Sequence, residues 1–239
     1  MAATARPMAA AAQLMAAAAQ LMAAAARLMA ATARLMAAEG EGCPTDGPLM
    51  AQWIAMSSPA SLGTLQTTPA LDRRDLLAPP VAAALATLPI ADRVLVAPID
   101  PDLADTAAFC AAYEVPLAAS ANCVVVSGKR AGEQRWAAAV ILATTRADVN
   151  GVVRRRLDVR KVSFAAMDDA VAQTGMEYGG ITPVGLPDGW PIMIDAAVAA
   201  AGPVVIGSGI RGSKLVLDGA ALARLPGAVV IEGLAAPVG

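Results

Sequence analysis

Residues 191–217 read PIMIDAAVAAAGPVVIGSGIRGSKLVL, and the order of elements in them decides the fold. PIMI at 191–194 is a short apolar run, a strand that stops at Asp195. A carboxylate in that place suits the N-cap of a helix, here over 196–200. VVIGSG at 204–209 is a second strand entering a Gly-Ser-Gly turn, and IRGSKLVL at 210–217 leads into a third. Strand, short helix and further strands in close succession point to an α/β domain with a mixed sheet.

The pattern extends in both directions. Downstream, residues 218–225 read as a short helix and 228–231 as a last strand. Upstream, LLAPPVAAALATL at 76–88 predicts a helix from about Pro80, since proline is tolerated in a first turn. RVLVAPI at 93–99 predicts a strand stopped by Asp100-Pro101. Residues 102–113 predict a helix with Asp102 and Asp105 near its positive end. Val124 to Val126 form a strand, Ser127-Gly128-Lys129 turns the chain, and residues 135–145 return to complete a hairpin. Cys123 is expected to face the core beside Val124. Residues 148–157 read as a helix with Arg154, Arg155 and Arg156 at its polar end and Arg160 and Lys161 behind; 168–174 read as another, ending at Gly175. The basic cluster suits a phosphate backbone or a solvated helix end offsetting the dipole. Taken alone, the second reading is preferred.

GMEYGGITPVGLPDGWP at 175–191 holds five glycines and three prolines. Such a segment can bring backbone amides close to a ligand, and long loops inside domains of this size tend to carry function. Its other reading is a surface loop without a task. GSGIRGS at 207–213 lacks the GxxxxGK[ST] spacing of a phosphate loop and does not match GxGxxG, so phosphoryl or nucleotide chemistry is poorly supported.

Composition removes whole classes of chemistry. The chain has no histidine, which excludes Ser-His-Asp and Cys-His catalysis and imidazole metal ligation. Its three cysteines, Cys43, Cys110 and Cys123, form neither a CxxC nor a disulfide framework, and a reducing cytoplasm suits them. With a net charge of −2 and 16% charged residues, nothing resembles a polybasic nucleic-acid surface, and any contact with RNA is expected to be local and shape-directed, through a few arginines and lysines. Residues 1–40 repeat every seven positions around Leu14, Leu21, Leu28 and Leu35, as a coiled-coil seam would. Gln13, Gln20, Arg27 and Arg34 interrupt any membrane span. A low-complexity extension is the preferred reading over a weakly self-associating helix. Residues 41–68 read as linker and irregular lead-in, and 69–239 as the functional domain.

The segments ANCVVV at 121–126, TGMEYGGITPVGLP at 174–187, PIMIDAAV at 191–198 and VVIGSGIRGSKLVL at 204–217 together resemble the YbaK/EbsC family. That family comprises free-standing aminoacyl-tRNA deacylases and the editing domain of bacterial prolyl-tRNA synthetases. The resemblance implies an α/β fold with a mixed, strongly twisted, barrel-like sheet and peripheral helices. It implies hydrolysis of the ester of mischarged aminoacyl-tRNA carrying a small amino acid, without metal or cofactor. The partners implied are the aminoacyl-tRNA acceptor end and an aminoacyl-tRNA synthetase, with no membrane, in a monomer or weak self-associate. The family's GxxxP loop falls on Gly179, Gly180, Ile181, Thr182 and Pro183. Backbone around Gly179 would hold the ester carbonyl and position water, and Asp195 would shape the pocket. Gly207, Ser208 and Gly209 would line it. Where many members carry a substrate-binding lysine, this chain has Asn122, which offers hydrogen bonds without charge. Lys129, Lys161, Arg211 and Lys214 are candidates to compensate, and with Arg154 and Arg160 they are candidate tRNA contacts. The departure keeps open a non-catalytic module that binds an aminoacyl-like ligand or tRNA end.

Overall fold

A computed structural model describes residues 62–238; the repeat over 1–40 and the linker through residue 61 lie outside them. The chain runs through β1 (Thr68–Pro69), α1 (Pro79–Leu85), β2 (Leu95–Pro98) and α2 (Thr106–Ala112). Next come β3 (Ala121–Arg130), β4 (Glu133–Leu142) and β5 (Thr145–Ala147). A π-helical turn, Val149–Val153, leads into α3 (Arg154–Leu157), then β6 (Val162–Phe164) and α4 (Met167–Thr174). After the glycine-rich loop follow β7 (Ile192–Asp195), α5 (Ala196–Ala199), β8 (Pro203–Gly207) and β9 (Ser213–Asp218). The chain finishes with α6 (Gly219–Leu222), β10 (Ala228–Ile231) and β11 (Ala235–Pro237).

One sheet has the order β1-β2-β9-β8 and is antiparallel throughout. The other, β10-β7-β4-β3-β6, is mixed: β7 runs parallel to both β10 and β4, and the remaining pairs are antiparallel. A lone parallel bridge, Ser120 to Val205, joins the two. The mixed α/β sheet with peripheral helices is therefore present, and it meets at a corner without closing into a barrel. Alternation along the strands sorts the core. Val94, Val96, Val204, Ile206, Leu215 and Leu217 meet Val140, Ile192 and Ile194 between the sheets. The intervening residues Ala97, Val205 and Val216 pack under α2 against Phe109. Ala139, Ile141 and Met193 pack against Val149, Val153 and Leu157. Among the described residues no helix is long and apolar enough to cross a membrane.

Three readings need correction. Ser127-Gly128-Lys129 is not a turn but lies within β3, and the chain reverses at Ala131 (φ 51°) and Gly132 (φ 89°). Two positive-φ residues between directly paired strands are what a type I′ hairpin requires. Gly128 serves close approach instead: a Cβ there would come 2.5 Å from the Lys161 carbonyl oxygen and 2.7 Å from a Val159 methyl. The strand over Ala228–Ile231 is not the last, because β11 follows and pairs with β5. Cys123 borders a cavity rather than being sealed in the core.

Candidate active site

Segments far apart in the sequence border one cavity of about 420 Å³. Residues 104–106 at the start of α2 form one side, and Ser120 with residues 121–125 of β3 another. Tyr178, Gly179 and Ile181 of the glycine-rich loop close it, with Val205, Ile206 and Gly207 of β8, Lys214 of β9 and Phe164.

The loop is held by backbone pairing with the β8–β9 connection. Glu177 N donates to the Gly209 carbonyl at 2.8 Å and Gly209 N to the Gly180 carbonyl at 2.7 Å. The Glu177 carboxylate accepts from Arg211 N at 2.7 Å. So close an approach needs bare glycines: a Cβ on Gly207 would sit 2.2 Å from the Gly180 oxygen, and one on Gly180 2.5 Å from that of Ile210. Gly180 N closes a turn onto the Glu177 carbonyl at 2.9 Å, with Gly179 in third position at φ +87°. Positive φ there is the type II requirement, which glycine meets without strain. Among the described residues the Gly179 N–H has no acceptor, and Gly179 is exposed at the cavity wall.

Lys214 supplies the cavity's cation. It is 7% exposed, its Nζ donates to the Ala104 carbonyl at 3.0 Å, and it lies 5.3 Å from the Phe109 ring centroid. Burial lowers its pKa below the ordinary lysine value, with Arg211 adding to the effect and Cys110 and Asp105 opposing it. Asn122 Oδ1 accepts from the Thr106 hydroxyl at 2.7 Å, which leaves the amide NH₂ to offer. Asp105, also at the cavity, caps α2 through one oxygen, Oδ1 accepting from Ala107 N at 3.0 Å. Burial pushes the Cys123 thiol up to about 12, so no thiolate nucleophile stands here at neutral pH. The residues at the cavity thus include an ammonium, an amide, a carboxylate and a glycine whose N–H has no acceptor among the described residues, a set suited to stabilising charge on a substrate.

Of the expected site residues, the structure brings Asn122, Gly179, Ile181, Gly207 and Lys214 to this cavity. Gly180, Thr182, Ser208 and Gly209 are buried behind it. Ser208 Oγ lies 2.7 Å from Ser213 Oγ, and Thr182 Oγ1 has no partner among the described residues. Pro183 borders a separate hollow beside Trp190. Arg211 braces the loop, donating to the carbonyls of Tyr178 at 3.3 Å and Pro101 at 2.9 Å. Lys129, Arg160 and Lys161 are exposed, Arg154 Nε bonds Asn150 O at 2.8 Å, and none of the four borders the cavity. Tyr178, a polar residue of the loop to which the sequence assigns no chemical role, borders it, and so does Phe164, which sequence reasoning missed because a single aromatic carries no periodic signal.

Asp195 is not among the cavity-lining residues. Its Oδ1 caps α5 by accepting from Ala197 N at 2.9 Å, and its Oδ2 accepts from Ala235 N at 2.9 Å, tying β7 to the start of β11. Losing a cap costs about 1 kcal/mol, and a second charge-assisted bond adds roughly 1.5–3. Asp195→Ala is therefore expected to lose about 3 kcal/mol in chemical denaturation, with any activity loss tracking the unfolded fraction. Full stability with a reduced turnover number would instead give Asp195 a role in the chemistry.

No curated protein sequence matches the chain. Among solved structures, a proposed trans-editing enzyme for prolyl tRNA synthetase is similar at TM-score 0.56 and 20% identity, over 65% of this chain and 94% of the other. A hypothetical protein is similar at TM-score 0.51 and 24% identity, over 60% and 91%. At these identities the likeness is one of fold. The model of the aminoacyl-tRNA editing domain matches residues 100–225, more than half of the 239-residue chain. Because that match takes in the start of α2, both strand walls of the cavity and the loop that closes it, the chain belongs to the aminoacyl-tRNA editing domain family.

Proposed function

We propose that this chain is a trans-editing deacylase of the YbaK/EbsC type, which hydrolyses the ester joining a wrong, small amino acid to the terminal ribose of tRNA. The observation that carries the reading is the meeting at one cavity of Gly179, whose N–H has no acceptor among the described residues, with Asn122 and Lys214. In this mechanism water adds to the ester carbonyl carbon and the carbonyl oxygen takes up negative charge. Gly179 N–H, fixed by its turn, donates to that oxygen and costs no reorganisation as charge develops. The ribose oxygen then leaves and takes a proton that came from the water. In this reading a hydroxyl of the substrate's own ribose orients the water. Lys214 and Asn122 hold the ribose and phosphate end. The cytoplasm, where charged tRNA is used, is the compartment this chemistry requires.

Asn122, an uncharged amide where the resemblance implies a lysine, favours a second reading, a module that binds the acceptor end without turnover. The test uses residues 58–239, the compact unit that holds the whole cavity, with a panel including Ala-, Cys- and Ser-tRNA species mischarged on non-cognate tRNA. Release of amino acid above spontaneous hydrolysis from one or two species supports the deacylase. Thermal stabilisation by tRNA without release supports the binding module.

A further inference from the structure

The chain holds two Phe, two Tyr and three Trp. Among the described residues four of these pair off: Phe109 packs on Tyr113 with centroids 5.4 Å apart, and Trp136 stacks on Trp190 at 5.3 Å and 2°. Trp53 lies outside the described residues, and the remaining two, Phe164 and Tyr178, have no aromatic partner among them and are 62% and 58% exposed. Both border the cavity, one at the end of β6 and the other on the glycine-rich loop. A large aromatic left in water forgoes burial worth about 2 kcal/mol. That two should do so at one cavity, in a chain so poor in aromatics, calls for something flat and apolar to cover them.

We propose that Phe164 and Tyr178 form a stacking site for the terminal nucleobase of the substrate's RNA end, outside the cavity that takes the ester. This deepens the deacylase reading and rests on it for the identity of the substrate. Stacking on exposed aromatic side chains is the general means by which proteins hold unpaired bases. Tyr178 directly precedes Gly179 in the type II turn, so a base seated on the ring is tied by one residue to the N–H that meets the ester carbonyl. The Tyr178 carbonyl is held by Arg211 at 3.3 Å, which fixes the turn that presents the ring. On the other side, the exposed cations Arg160 and Lys161 lead directly into β6 and hence to Phe164. The chain leaving the stacked base would meet positive charge there. A single-stranded end is thus recognised by its face, without reading which base it is.

The experiment measures binding of two deacylated RNA hairpins by fluorescence anisotropy, one with a normal CCA end and one whose terminal nucleotide is abasic. The proteins are the wild type, Phe164→Ala, Tyr178→Ala and the double variant, each confirmed folded by its melting temperature. The wild type should bind the CCA hairpin roughly 10- to 100-fold more tightly than the abasic one. The double variant should bind both equally, at the wild type's abasic level. Equal binding of the two hairpins by the wild type, no binding of either, or undiminished discrimination by the double variant overturns the proposal. Hydrolysis of mischarged tRNA, followed in parallel, separates the two ideas. Turnover without discrimination sinks the stacking site alone, whereas discrimination without turnover keeps the site and sinks the deacylase.

Discussion

Gly179→Ala is expected to lower the turnover number by about 10²- to 10³-fold in a protein that still folds, the usual effect of losing one oxyanion donor. Two physical causes combine. The backbone there has φ +87°, where an L-residue costs roughly 1–2 kcal/mol. The new Cβ would also lie 2.7 Å from Arg211 Nη1, the group that braces the turn through the Tyr178 carbonyl. The turn must then flatten or Arg211 must leave, and either swings the Gly179 N–H from its line. Gly132→Ala is the control. It has φ +89° with nothing within 4 Å of the added Cβ, and it lies at a hairpin tip away from the cavity. It should cost similar stability and leave turnover intact. If both variants lose activity alike, the loss comes from backbone strain and not from the N–H. If Gly179→Ala turns over normally, the oxygen is held elsewhere.

The sequence made the scaffold legible wherever local chemistry and tertiary structure agree. Asp105, Asp195 and Asp218 cap α2, α5 and α6. Gly175 ends α4 in the left-handed region, and the β-branched runs of β2, β7 and β8 fall where expected. Strands β5, β6 and β11 were missed, since three residues are too few for alternation to show. Gly128 was misread because a glycine that admits a crossing chain looks in sequence like one that makes a turn. The site divides in the same way. The resemblance led to the loop around Gly179, but the pairing of Gly180 with Gly207 is a contact between segments and has no local signature. Lys214 stood as one of several surface-like cations, and only the packing of β9 against α2 buries it with its Nζ on Ala104. Asp195 was legible as the cap of α5, whereas its second bond, to Ala235 N at the start of β11, joins segments far apart in sequence and has no local signature.

Lys214 and Asn122 can be tested together, and the expected result is a reversal of sign. Lys214→Met should cost about 10- to 100-fold in kcat/KM, the worth of a charge-assisted hydrogen bond to the substrate. In the parent protein Asn122→Lys should also lower activity. It breaks the bond to Thr106 and places a second ammonium on a cavity where burial already disfavours the first. In the Lys214→Met background the same Asn122→Lys change should raise activity at least several-fold, because the cavity then regains a single cation from β3, at the position where the resemblance to the YbaK/EbsC family implies a lysine. A gain from Asn122→Lys in the parent protein would show instead that Lys214 does not substitute for that lysine. The pH dependence supplies a second reading. Because burial lowers the Lys214 pKa, the ammonium is lost at a lower pH than in a free lysine, whose pKa is about 10.4. Enzymatic release, corrected for spontaneous hydrolysis, should therefore fall on the alkaline side before an ordinary lysine would titrate. Lys214→Arg should carry that limb upward, since a guanidinium keeps its charge. The stability effect has the opposite sign. The unfolded chain binds this proton more tightly than the folded one, so Lys214's contribution to stability improves as pH rises from the folded to the unfolded pKa. The buried Cys123 thiol, raised to about 12, acts in the opposite direction over the same alkaline range, so the Lys214 contribution is read as the stability difference between the parent protein and Lys214→Met. A cation that the fold holds against its own preference is one for which that difference shifts in the parent's favour as pH rises while the parent's activity falls.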